Sequence, residues 1–219
     1  MIRRPPRSTL SSSSAASDVY KRQLKDRLYT APPKSVQRRS AQTAMYVILD
    51  ALTRLIAPVL SFTAEEIWQH LPGEREESVH LAQFPRFETS LLDADLEARY
   101  EKILALRSDV SKALELARTE KRIGHSLDAR VILAAPAGEW QQLLERYRDE
   151  LATLFIVSQA ELVDSLSDGV AGEEVEGLRI RVEKAQGDKC ERCWNYAVSV
   201  GSHEDHPVLC DRCHTALGA

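Results

Sequence analysis

The sequence lacks any long hydrophobic run. Although 43% of its 219 residues are apolar, no stretch approaches the roughly 18 consecutive apolar residues that a candidate membrane-spanning helix shows. The same composition is rich enough in apolar residues to build one or two modest cores. We therefore expect a globular protein that has no membrane partner.

A strong excess of positive charge is also absent. The formal net charge is -4, which excludes a protein that is basic over its whole surface. Any surface that binds nucleic acid must therefore be a local patch of cations.

Residues 1–23 differ in composition from the rest of the chain. This segment is rich in serine and arginine, carries five basic residues against one acidic residue, and has no apolar stretch suited to a secretory signal. An arginine-rich, acid-poor start also fits an organellar transit peptide. We interpret it as a disordered leader without function, most simply non-native sequence joined to the coding region.

Cysteine is absent from most of the chain and then occurs as two C-x-x-C pairs near the end. The four residues are Cys190, Cys193, Cys210 and Cys213, with sixteen residues between the pairs. This spacing is typical of a zinc ribbon with four cysteine ligands. Four thiolates close a tetrahedral site and leave no open position, so the sequence predicts one structural Zn²⁺ rather than a catalytic metal.

Other uses of the cysteines fit the sequence less well. Disulfides are typical of secreted chains, and a redox C-x-x-C motif normally occurs as a single pair. His203, His206 and His214 are the spare metal ligands nearby, and a complete set of cysteines leaves no vacancy for them.

Cations and an aromatic residue surround the predicted zinc site. Lys189, Arg192 and Arg212 flank the cysteines, and Trp194 follows the second of them. This combination suits a phosphate backbone and an unstacked base. The alternative is that Trp194 covers the small core of the ribbon and that the cations are ordinary surface residues.

Two helices are expected in the first half of the chain. Apolar residues spaced by three and four predict a helix from Val36 to about Pro58 with one side buried against other helices; they are Ala41, Met45, Ile48, Leu52, Leu55 and Val59. A second, shorter helix is expected to begin at Thr63 as N-cap, with Glu66 completing a capping box, and to stop at Pro72.

A longer helix should follow, capped by Gly124. Its apolar positions again step by three and four, and its last turn carries Arg118, Lys121 and Arg122. On a helix these three cations would share one face, where they could contact phosphates or simply be solvated.

Beyond Gly124 the pattern changes to a mixture of strands and helix. Residues 129–135 and 178–185 read as strands, residues 139–151 as a helix and residues 154–163 as a further strand. The predicted fold class is therefore α+β: a helical-bundle segment, a long helix, a small α+β module and a zinc ribbon with four cysteines.

Four stretches of the sequence resemble one family of enzymes. They are "KDRLYT", "RRSAQTAMYVILDALTRLIAPVLSFTAEEIWQHLPG", "ARTEKRIGHSLDA" and "KCERCWNY...EDHPVLCDRC". Together and in this order they are similar to the C-terminal part of bacterial isoleucyl-tRNA synthetases, which are class I enzymes. The second stretch is shared by related class I synthetases, whereas the cysteine motif narrows the resemblance to the isoleucine enzyme.

The resemblance implies a domain organisation. Residues 1–23 would be the leader, 24–92 the C-terminal part of the helical anticodon-binding domain, 93–186 the long helix with the α+β module, and 187–219 the zinc ribbon. It also implies a cytoplasmic, monomeric protein whose partners are isoleucine tRNA, through its anticodon arm, and the remainder of the synthetase.

An RNA-binding set follows from the same resemblance, with no catalytic residue in this chain. The expected contacts are Arg118, Lys121, Arg122, Lys189, Arg192, Trp194 and Arg212. The His-x-Gly-His and Lys-Met-Ser-Lys-Ser signatures of the ATP-binding domain do not occur in the sequence. We therefore expect ATP to be used by the complete enzyme and this chain to be inactive alone.

Two alternative functions remain open from the sequence. The zinc ribbon could be a module that binds protein, with the basic residues incidental. The chain could also be the equivalent region of a valyl-tRNA synthetase.

Overall fold

The structure is a computed structural model that describes residues 24–86 and 88–218. These residues form two compact units, one of residues 31–86 and 88–93 and the other of residues 24–30 and 94–218. The predicted leader, 1–23, lies outside the described residues. Segment 24–30, which we expected to belong with the helical region, groups instead with the α+β unit. In the part of the chain that the structure describes, no helix combines the length and hydrophobicity needed to cross a bilayer.

Two helices build the smaller unit. Helix α1 spans Val36–Ile56 and helix α2 spans Ser61–His70, followed by the 3₁₀ turns Val79–Leu81 and Thr89–Leu91. Helix α1 begins at the N-cap Ser35, whose hydroxyl accepts a hydrogen bond from the Arg38 amide. It ends two residues before Pro58, because proline cannot supply the backbone N–H that the helix would need there.

The predicted burial of the α1 apolar stripe is wrong in this structure. Ile48, Leu52 and Leu55 are 65%, 49% and 55% exposed. Ala41 and Thr53 are the buried residues of this helix, and the small core beside it contains Ala57, Ala64, Trp68, Leu71 and Val79. Small side chains therefore face the core, and the larger apolar side chains remain on the surface.

The predicted N-cap of α2 is also wrong. The helix begins at Ser61, two residues before Thr63, and its N-cap residue Leu60 has no side-chain capping bond. Glu65 instead accepts hydrogen bonds from the Ser78 hydroxyl and the Val79 amide, at 2.8 and 3.0 Å. The side chain of Glu65, the residue before the predicted capping residue Glu66, therefore joins the following connector to α2.

The larger unit places a long helix against a mixed sheet. Its helices and strands are, in chain order, α3 Ala94–Thr119, β1 Ala129–Ala134, α4 Glu139–Arg146, α5 Leu151–Phe155, β2 Gln159–Leu162, β3 Val170–Ala171, β4 Arg179–Lys184, β5 Asp188–Lys189, β6 Tyr196–Ala197 and α6 Asp211–Gly218. The short segment Asp26–Thr30 forms a π-helical turn in the same unit.

The four-stranded sheet has the order β2-β1-β4-β3. Strands β1 and β2 are parallel, whereas β4 is antiparallel to both β1 and β3. Along β4, Ile180 and Val182 are buried while Arg179 is exposed, which is the alternation that the sequence predicted. Leu106 and Val110 of α3 pack in the same core as Leu133. The predicted α+β class is confirmed.

Between β1 and β2 the predicted helix and strand are shorter than expected. The helix over residues 139–151 is interrupted after Arg146, and residues 154 and 155 belong to α5 rather than to a strand. Ile156 has a φ of 58° and ends α5, since the left-handed region cannot continue a right-handed helix. Strand β2 therefore starts only at Gln159.

A buried carboxylate fixes the acidic loop that follows β3. Asp109 of α3 is 2% exposed and accepts hydrogen bonds from the amides of Glu173, Glu174 and Val175 at 3.0 to 3.1 Å. A Cβ atom at Gly172 would lie 2.8 Å from the Asp109 carboxylate and 2.6 Å from the Val175 carbonyl oxygen. The loop can therefore close on Asp109 only because residue 172 has no side chain.

Candidate metal centre and nucleic-acid interface

A tight hairpin positions the first pair of cysteines. Strands β5 and β6 pair with Lys189 opposite Tyr196, and the Cys190 amide donates to the Asn195 carbonyl at 2.9 Å. Gly187 precedes the hairpin with φ +82°, and a Cβ atom there would lie 2.3 Å from the Ala197 carbonyl. The second pair lies at the start of α6, with Cys210 before the helix and Cys213 in its first turn.

The four cysteine sulfurs converge on one point. All lie within 4.8 Å of one another, and the Sγ atoms of Cys193 and Cys210 are 3.8 Å apart. A tetrahedral ion with Zn–S bonds of about 2.3 Å requires sulfur separations of about 3.8 Å. Cys190, Cys210 and Cys213 are buried, so the residues present fit a closed structural Zn²⁺ site.

The cysteine thiols have different proton affinities. Burial acts to raise the pKa of Cys190, but hydrogen bonds from the backbone of Cys193, Cys210 and Arg192 outweigh it and lower that pKa to about 6. Burial raises the pKa of Cys193 and of Cys213. A divalent cation stabilises the full set of thiolates, because its charge offsets both their desolvation and their mutual repulsion.

Trp194 stands on the surface of the zinc finger. Its side chain is 62% exposed, whereas the core of this segment consists of Cys190, Leu209, Cys210 and Cys213. The ammonium group of Lys189 lies 5.7 Å from the centre of the indole ring. The indole ring therefore lies outside this core and is largely exposed to solvent.

Arg192 and Arg212 bind the segment at the beginning of the described chain. Both guanidinium nitrogens of Arg212 contact the Asp26 carboxylate, at 2.7 and 2.8 Å. Arg192 donates to the carbonyl oxygens of Thr30 and Tyr29, at 2.7 and 3.2 Å. Burial acts to lower the pKa of Arg212, but the bond to Asp26 outweighs it and raises that pKa. These two arginines therefore join the zinc finger to residues 26–30.

Helix α3 ends earlier than predicted, and Lys121 rather than Gly124 forms its cap. The Lys121 amide donates to the Arg118 carbonyl and the Arg122 amide to the Ala117 carbonyl, at 3.0 and 2.9 Å. Lys121 has a φ of 60°. This is the Schellman arrangement, in which the left-handed position is usually glycine. Because the helix ends at Thr119, the three cations do not share one helical face, and that expectation is wrong.

The three cations nevertheless line one concave surface. We call this the basic concavity; it has a volume of about 520 Å³ and is lined by Arg118, Lys121, Arg122, Ile123, Gly124, Asp128, Lys184 and Tyr196. Arg118 pairs with Glu115, and Arg122 binds Glu120 and the Val182 carbonyl. Tyr196 belongs to the hairpin that carries the first cysteines. The basic concavity therefore adjoins the zinc finger.

Sequence reasoning missed Lys184 and Tyr196 at this surface. Lys184 ends β4, where it reads as one more exposed strand residue. Tyr196 occurs two residues after Trp194, and this second aromatic residue behind the cysteine pair is the signal that could have identified it. The placement of Lys184 depends on the pairing of β4 with β1, which local sequence does not reveal.

Comparison with known proteins matches the two parts of this site separately. Residues 9–133 match the family described as "Anticodon-binding domain of tRNA ligase", and the match begins within the predicted leader. Residues 187–215 match the "Zinc finger found in FPG and IleRS", which includes all four cysteines. The chain therefore belongs to the anticodon-binding domain family of tRNA ligases.

Within this class, the similar proteins are isoleucine–tRNA ligases. The enzyme of Syntrophotalea carbinolica is 66% identical over 92% of this chain and 22% of its own length. Those of Geobacter sulfurreducens and Fervidobacterium nodosum are 50% and 45% identical over 89% and 92% of this chain. The chain spans about a fifth of the length of these relatives, 21–22%. It corresponds to a C-terminal region of isoleucyl-tRNA synthetase, and its Zn²⁺ is structural.

Proposed function

We propose that this chain holds the anticodon arm of isoleucine tRNA while the remainder of the synthetase attaches isoleucine with the use of ATP. The main support for the proposal is the basic concavity beside an exposed tryptophan on the zinc finger. Its contribution to catalysis is positioning, because an RNA held at one end presents its other end to a remote active site.

The cations of the basic concavity suit phosphate contacts. Lys121 and Lys184 are exposed, and the ion pairs of Arg118 and Arg122 with nearby glutamates lie at the surface. Exposed ion pairs contribute only about 0–1 kcal/mol. Replacing the glutamate partner of either arginine with an RNA phosphate therefore costs little free energy.

Trp194 and Lys189 supply the proposed contact to a base. An exposed indole ring offers a stacking platform, and a neighbouring ammonium group suits the adjoining phosphate. Arg192 and Arg212 complete the proposed set. Because their guanidinium groups also bind residues 26–30, we expect each of them to contribute less to RNA affinity than Lys121 does.

The exposed apolar stripe of α1 is the proposed contact with the remainder of the synthetase. Ile48, Leu52 and Leu55 are about half exposed or more, and apolar patches of this kind mark interaction surfaces. The relatives are several times longer than this chain, so they contain further protein that can cover the stripe. As the resemblance implies, we propose that the intact protein is a cytoplasmic monomer.

Titration with isoleucine tRNA at several salt concentrations tests the proposal. We expect the logarithm of the association constant to fall steeply with the logarithm of salt concentration, because each phosphate contact releases counterions. Valine tRNA and an isoleucine tRNA with an altered anticodon should bind more weakly. Lack of binding, or a flat salt dependence, would favour a zinc ribbon that binds protein instead. Equal binding of valine tRNA would favour the valine enzyme.

A further inference from the structure

Three side chains on the zinc finger form a second group of metal-ligand atoms. One ligand atom from each of His203, Asp205 and His214 lies within 4.8 Å of the others. The rings of His203 and His214 stack in parallel with their centres 3.8 Å apart, and because the lone pair of an imidazole nitrogen lies in the ring plane, one ring must rotate before both can bind the same ion. His203 and Asp205 come from the loop between the cysteine pairs, whereas His214 belongs to α6. This cluster therefore joins two segments that the cysteines also join.

The hydrogen bonds within this cluster resemble those of metal sites. The Nε2 atom of His214 is 3.0 and 3.1 Å from the two oxygens of Asp205, and two ligands that each lie about 2.1 Å from an ion are separated by about 3 Å at their closest. Asp211 contacts His203 Nε2 at 2.7 Å. Carboxylates commonly orient metal-bound histidines in this way.

Burial and charge also suit a cation at this position. The side chains of His203 and His214 are 25% and 29% exposed, whereas that of Asp205 is 66% exposed. The cluster thus combines two partly covered imidazoles with one accessible anion.

We propose that His203, Asp205 and His214 bind a second divalent transition metal ion, of the Zn²⁺, Ni²⁺ and Cu²⁺ class. Imidazole ligands favour these ions, whereas Mg²⁺ and Ca²⁺ prefer sites made only of oxygen. Three protein ligands leave at least one coordination position for water or an external ligand. The bound ion tethers the loop that contains residues 203–205 to α6, independently of the ion held by the cysteines.

Metal counting on the full chain tests this site. The protein is prepared without a polyhistidine tag and with Zn²⁺ bound to its cysteines, and Ni²⁺ is then added under conditions that leave the zinc in place. We expect one Ni²⁺ per chain in addition to one Zn²⁺, measured by calorimetry and elemental analysis. His214→Gln and His203→Gln should each weaken Ni²⁺ binding at least about tenfold without lowering the zinc content.

Two further variants make the test decisive. His80→Gln, which removes an exposed histidine from the other unit, should leave Ni²⁺ binding unchanged. Asp205 lies five residues from the nearest cysteine. Asp205→Asn should therefore weaken Ni²⁺ binding while the protein keeps its zinc. Absence of a second ion from the unmodified chain, or a Ni²⁺ affinity in Asp205→Asn and His214→Gln equal to that of the unmodified chain, would show that the cluster is only a hydrogen-bonded surface group.

Discussion

Lys121 occupies a backbone position at which a lysine is costly. Its φ of 60° places it in the left-handed region, which is unfavourable by roughly 1–2 kcal/mol for residues other than glycine. Strained positions of this kind persist where a side chain has a use. Lys121 lines the basic concavity, which supports a role in binding phosphate.

Replacing Lys121 with glycine should separate stability from RNA binding. We expect Lys121→Gly to leave the free energy of unfolding unchanged or to raise it by up to about 1 kcal/mol, since glycine relieves the strain but gains entropy in the unfolded chain. The tRNA affinity should fall, and the salt slope should decrease by about one unit. Urea unfolding and tRNA titration measure the two effects. A variant that loses stability and keeps its tRNA affinity would contradict the proposed role.

Trp194 should affect RNA binding without a change in salt dependence. We expect Trp194→Ala to cost roughly 1 to 3 kcal/mol of binding free energy if the ring stacks on a base. Zinc content should stay the same, because the side chain is 62% exposed and lies outside the cysteine core. Val198→Ala, at another exposed apolar residue of the segment, is the matched control. Release of zinc by Trp194→Ala would instead show that the indole ring stabilises the zinc finger.

At the scale of elements, helix α3 organises the acidic loop through one side chain. The Asp109 carboxylate accepts four hydrogen bonds from three consecutive amides, and the last of these donors, Val175, is buried. Lys112 adds positive charge 3.9 Å away. Because one carboxyl group accepts from three backbone amides, the loop is fixed in a way that no apolar contact could reproduce.

Asp109→Asn should loosen this loop. The amide group of asparagine turns a donor toward at least one backbone N–H, and an unsatisfied buried polar group costs about 1–3 kcal/mol. We expect Asp109→Asn to lower the free energy of unfolding by this amount and to speed hydrogen exchange at the amides of residues 173–175. Glu101→Gln, at an exposed position of the same helix, is the control. Equal effects of the two substitutions would mean that the hydrogen bonds to Asp109 contribute little.

At the scale of the whole molecule, the two compact units should respond differently to loss of zinc. The cysteines belong to the unit of residues 24–30 and 94–218, and the four-stranded sheet has its own apolar core. We expect Cys193→Ser, or treatment with a chelator, to unfold residues 189–213 locally while α1, α2 and the sheet stay folded. Hydrogen exchange resolved along the chain measures this. Loss of protection throughout α1 and α2 would contradict it.

Local sequence determined the parts of this protein whose signals are short in range. The spacing of Cys190, Cys193, Cys210 and Cys213 specified a zinc site because ligand chemistry tolerates few alternatives. The alternation along β4 and the proline after α1 predicted their elements for similar reasons. The family motifs then identified the class of protein, since they combine many such local constraints.

Tertiary structure alone decided which surfaces these elements form. Periodicity identified a helix at α1 but not the side it buries, because either a broad apolar stripe or a row of small residues can face a core. Residues far apart in sequence come together where Asp109 accepts hydrogen bonds from residues 173–175, and where Lys184 and Tyr196 approach the end of α3. Such contacts depend on strand pairing and loop closure, which are set by the packing of the whole unit rather than by neighbouring residues.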